Sequence, residues 1–80
     1  MVIRLNSIEK VKTFVNGISR VDASVDLVSG RYVVDAKSIM GIFSLNLKKP
    51  IKVKILSGNE EQVREVIREF IVPDNEYDAA

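Results

Sequence analysis

Stretches of period two alternate with stretches of helical period along the chain, and each ends at a turn or cap residue. Val2 to Leu5 is short and β-branched and runs into Asn6, which reads as a strand entering a helix cap. Asn6 with Glu9 forms a capping-box pattern. Ile8, Val11, Phe14, Val15 and Ile18 then recur at helical spacing, which predicts a helix from about Ser7 to Ile18. Asn16-Gly17 is a candidate exit, because glycine readily takes the left-handed conformation found just past a helix end. Ala23 to Val28 and Arg31 to Ala36 both alternate, with only Ser29-Gly30 between them, the spacing of a hairpin. Its dry face would carry Ala23, Val25, Leu27, Tyr32, Val34 and Ala36, and its wet face Ser24, Asp26 and Arg31.

Ser38 to about Leu45 reads as a short helix with apolar positions Ile39, Ile42, Phe43 and Leu45, interrupted by Gly41. Ile51 to Ile55 alternates with Lys52 and Lys54 outward, and Pro50 sits at the start of the strand, where its missing donor does least harm. Asn59 and Gln62 form a second capping box. Val63, Val66, Ile67 and Phe70 follow as the stripe of a helix that Pro73 stops, with Glu60 and Arg64 paired at i, i+4. The order is strand, helix, strand, strand, helix, strand, helix. The predicted fold class is α/β (α+β), an open-faced two-layer sandwich in which three helices cover one face of a four-stranded antiparallel sheet and the other face meets solvent. Residues 1–73 form that domain, and 74–80 form a polar, acidic tail expected to fray, with Tyr77 its one large anchor.

Eighty residues suffice for one small domain, and the 46% apolar content suits a packed core. No apolar run approaches the roughly 18 residues of a membrane-spanning helix, and Met1 to Leu5 lacks the basic leader of a secretion signal. A soluble, cytoplasmic chain without a membrane partner is the expectation. The chain has neither cysteine nor histidine, which removes disulfides, thiolate nucleophiles and zinc clusters. A metal site would need carboxylates and carbonyls, and no loop of alternating acids suggests one, so neither metal nor cofactor is expected. The net charge of +1 hides a cluster, Lys48, Lys49, Lys52 and Lys54. That cluster admits a nucleic-acid reading. Single-strand recognition also needs aromatics to stack on bases, and none sits on this strand, so the lysines read as a solvated face and no nucleic-acid partner is expected.

The segment Asp35-Ala36-Lys37-Ser38-Ile39-Met40-Gly41-Ile42-Phe43-Ser44-Leu45 resembles the regulatory-serine phrase of HPr, the small phosphocarrier of the bacterial sugar phosphotransferase system. Phe14-Val15 fits the buried pair of that family's first helix, and the element order follows the family from Val2 to Val72. Asn46 stands where the family commonly has glycine, a change that asparagine's tolerance of left-handed conformations permits. The resemblance breaks at the phosphorylation loop, where the family relies on a histidine nucleophile and an arginine. Aligned on Phe14-Val15, Ser7 takes the histidine position and Glu9 that of the arginine, after a loop shortened by a few residues. An unactivated hydroxyl beside a carboxylate lacks the base and the cation that phosphoryl transfer uses, so no catalytic residue is assigned and the chain is not expected to be an enzyme.

Ser38 keeps two roles open. It can cap its helix, worth about 1 kcal/mol. It can also carry a regulatory phosphate, whose roughly −1.5 to −2 charge suits a helix N-terminus. The resemblance further implies that Ile39 and Met40 form part of a surface for protein partners, namely the family's serine kinase and a transcription regulator. It implies a histidine-less regulatory paralogue switched at Ser38. The alternatives are an interaction or oligomerising domain without a switch, as a monomer or homodimer, and a phosphocarrier in family label only.

Overall fold

The computed structural model describes the backbone of residues 1–79 and the side chains of residues 1–77. Strands β1 (Val2–Ile3), β2 (Ser24–Ser29), β3 (Tyr32–Asp35), β4 (Ile51–Ser57) and β5 (Ile71–Val72) form one antiparallel sheet in the order β3-β2-β4-β1-β5. Helices α1 (Ile8–Ile18), α2 (Ile39–Phe43) and α3 (Glu60–Ile67) cover one face. The sheet thus has five strands rather than the predicted four. The stripe expected to stay helical until Pro73 leaves the α-helix at Ile67, passes through a single 3-10 turn, Arg68–Phe70, and pairs Ile71 and Val72 with Ile3 and Val2. The gain is Phe70: buried there, its ring meets Phe14 edge to face, with centroids 5.7 Å apart.

The core follows the predicted stripes. Val11, Phe14 and Ile18 of α1, Val25 and Leu27 of β2, Ile51 and Val53 of β4, and Val63 and Ile67 of α3 join Ile3, Leu5 and Ile42 in one apolar cluster. Among the described residues no polar or charged side chain is buried. Several expected core members are outside it, Tyr32 and Ile8 among them. Tyr32 is 67% exposed, because it lies next to the turn, beyond the helical layer, although it shares a sheet face with Val34. Ile8, at the first helical position, is also exposed.

Local signals are shifted by a residue or reassigned. Ser7, not Asn6, caps α1 and accepts from the Lys10 N–H at 3.1 Å. Gly17 is not the helix exit but lies inside α1, where a Cβ would stand 2.8 Å from Val66 Cγ1; it is glycine because α1 and α3 approach closely. The hairpin turn is Gly30-Arg31 rather than Ser29-Gly30, with Gly30 at φ +59°, the first-position glycine of a tight two-residue turn. Asn59 caps α3 as expected, accepting from the Gln62 N–H at 3.1 Å, and Arg64 reaches Glu60 at 3.7 Å.

Where composition predicts fraying after Asp74, residues Asn75–Ala79 make a helical turn, α4; Ala80 lies outside the described residues. Arg4 Nε donates to Glu76 Oε1 at 3.1 Å, and half-buried Tyr77 lines a groove with Val2 and Lys52. Val2 alternates away from the core-facing Ile3, yet it too is buried. The face expected to be open is therefore covered at the β1 end.

Candidate functional site

The site begins where β3 ends. Asp35 turns the chain by accepting the Lys37 N–H on Oδ1 at 2.8 Å and the Ser38 N–H on its carbonyl at 3.0 Å, a local device that aspartate's short acceptor makes possible. Ser38 stays extended, at φ −99° and ψ 102°, and its Oγ accepts the Gly41 N–H at 3.2 Å. The hydroxyl sits at the surface. Capping is thus what Ser38 does here, with its side chain exposed.

Gly41 makes this arrangement fit. A Cβ there would lie 3.2 Å from both Ser38 Oγ and Val34 Cβ, so glycine lets α2 lie against β3 while the cap closes. Ile42 anchors the helix in the core, and half-buried Ile39 packs against that core. Met40 is 76% exposed. Phe43, expected inside, is 38% exposed at the last position of this five-residue helix. The helix is shorter than the Ser38 to Leu45 span predicted, so the electropositive tip beneath Ser38 is that of little more than one turn. Asn46 adopts no left-handed conformation; its Oδ1 instead accepts the Lys48 N–H at 3.1 Å.

Lys37 carries no signal in the hydrophobic and polar pattern. Its Nζ donates to the Val21 carbonyl at 2.8 Å, which ties the entrance of α2 to the segment after α1. A lone lysine before a serine reads as a surface cation, and no spacing rule signals that the ammonium is already bound.

Ser7 is held apart from α2 by its own cap at the start of α1. The neighbouring cleft, about 220 Å³, is lined by Glu9, Lys10, Thr13, Glu69 and Phe70. Two carboxylates against one ammonium make a poor setting for a phosphoryl group, whose oxygens need cations or backbone donors. Lys52 and Lys54 project from the sheet face opposite the helices, while Lys48 and Lys49 lie in the turn before Pro50. No helix is long and apolar enough to cross a membrane among the described residues.

A family model described as the PTS HPr component phosphorylation site matches residues 9–72, a span that includes Ser38 and begins two residues after Ser7. The fold is similar to the crystal structure of HPr-C-His from Thermoanaerobacter tengcongensis, with a TM-score of 0.75 and 21% identity, covering 98% of this chain and 93% of that one. No curated protein matches the chain.

Proposed function

The chain belongs to the HPr family, and on that premise we propose that it is a regulatory or interaction module of the phosphotransferase system, switched at Ser38, and not a histidine phosphocarrier. With no histidine in the sequence, the imidazole route is closed, and Ser7 has neither a base to activate it nor an arginine to steady the phosphoryl group. The observation that carries the proposal is the exposed Ser38 hydroxyl inside an intact family phrase, followed by the exposed Met40. A phosphate there adds charge and acceptor oxygens to a surface that already presents an adaptable apolar side chain. Ile39 and Met40 then form the docking face, and the partners are proteins: a serine kinase that reads the phrase and a transcription regulator that reads its phosphorylated form. The compartment in which such partners meet is the cytoplasm.

Incubation with an HPr serine kinase and ATP, read by intact-mass spectrometry, is expected to add one phosphate that Ser38→Ala abolishes. Absence of the adduct, or its persistence in Ser38→Ala, rejects the switch and leaves the reading of an unswitched interaction domain. Incubation with phosphoenolpyruvate and the first enzyme of the system is expected to leave Ser7 unmodified.

A further inference from the structure

Among the described residues the hairpin leaves one long side of β3 without a neighbouring strand. β3 is an outer strand of the sheet, and the opposite outer strand, β5, has only two residues and runs into Pro73. In an antiparallel pair, residues alternate between those bonded to the neighbouring strand and those whose N–H and C=O point away from it. The two-residue turn, together with the bond from the Ala36 N–H to the Val25 carbonyl at 2.9 Å, puts Tyr32, Val34 and Ala36 in the first group. Val33 and Asp35 therefore aim their backbone groups outward, and Arg31 precedes them in the turn. Ser38 takes the Asp35 carbonyl, and the Asp35 N–H and both groups of Val33 remain as the row that an added strand would meet. The side chains of Val33 and Asp35 are exposed, Val33 at 59%, and so is that of Arg31 in the adjoining turn.

We propose that this edge pairs with the same edge of a second copy of the chain, antiparallel, about a two-fold axis at Val33. With Val33 facing its own counterpart, the turn residue Arg31 comes to the end of the second copy's strand at Asp35 on both sides of the axis, and opposite charges placed across an antiparallel pair attract. Moving the axis to Val34 sets Arg31 against Lys37. Moving it to Tyr32 sets Arg31 against Val33 and leaves Asp35 facing Ser29. Charge and hydrogen-bonding phase thus select one register. The strand carries neither a proline nor a register shift against β2, the devices that blunt edges. The pairing extends the sheet to ten strands across the dimer, twice the five of one copy.

Sedimentation velocity on the full chain across a concentration series is expected to show a monomer–dimer equilibrium. Arg31→Glu sets like charges opposite each other twice and should weaken that equilibrium by about tenfold or more. Arg31→Glu combined with Asp35→Arg should restore it. Because Asp35 also turns the chain before Ser38, Val33→Cys supplies a second measurement that leaves the turn intact. The natural chain has no cysteine, and Cα atoms across a bonded pair lie about 5.5 Å apart, within disulfide reach, so mild oxidation should cross-link Val33→Cys faster than Lys54→Cys. A chain that stays monomeric throughout, a dimer indifferent to Arg31→Glu, or equal cross-linking from Lys54→Cys would each overturn the proposal.

Discussion

Gly58 sits at φ +101°, and a Cβ there would meet Ala23 Cβ at 2.5 Å and Ala23 Cα at 2.8 Å. The neighbour in the way includes backbone, which cannot swing aside. Gly58→Ala therefore combines a disfavoured dihedral with a hard contact between the end of β4 and the start of β2, and should cost about 2–4 kcal/mol in urea unfolding. Ser38 and Ser7 present the opposite case, since each loses only a cap. Alanine at either is expected to cost about 1 kcal/mol, with the far-UV circular dichroism unchanged. The kinase experiment on Ser38→Ala is thus read on a folded chain. These two serines show what residue-level reading can reach. Ser38's cap was legible from its neighbours, whereas the choice of Ser7 over Asn6 was not, because both are good caps one residue apart and only the path of the chain out of β1 separates them.

The pairing of α1 with α3 is decided at Gly17. Alanine is the better helix former by about 1 kcal/mol, but its methyl would press on Val66 Cγ1 at 2.8 Å. Gly17→Ala is expected to lower stability in the natural chain and to raise it by up to about 1 kcal/mol in a Val66→Ala background, as a double-mutant cycle in urea would show. Equal effects in both backgrounds would mean that the helices part easily. Elements with long stripes, α1 and α3, were legible from spacing, and so was the alternation of β2 and β4. Element ends were not. The 3-10 turn and β5 arise because β1 offers an unpaired edge on which Ile71 and Val72 can bond, a fact about a distant segment that local periodicity does not contain. The five-residue α2 likewise stops short of its predicted span and leaves Phe43 partly exposed beside Met40.

Across the whole molecule α1 and the end of α3 are joined at Phe14 and Phe70, one inside α1 and the other in the 3-10 turn after α3. Each phenylalanine replaced by alanine should cost about 3–5 kcal/mol, and the double variant should fall short of the sum by about 0.5–1.5 kcal/mol, the value of the edge-to-face contact. Strict additivity in thermal or urea unfolding would show that the rings act separately. The covering of the sheet by α4, the exposure of Ser38 and Met40, and the free edge of β3 belong to this scale too. By itself the sequence determined the class of fold, most of the core, the absence of histidine and the serine phrase, because periodicity, composition and short motifs are properties of the chain itself and of neighbours along it. Only the tertiary structure decided how many strands the sheet has, which apolar side chains stay outside, where Lys37 is bound and which edge lies bare, because those depend on contacts between segments far apart in sequence, where burial and backbone bonding compete.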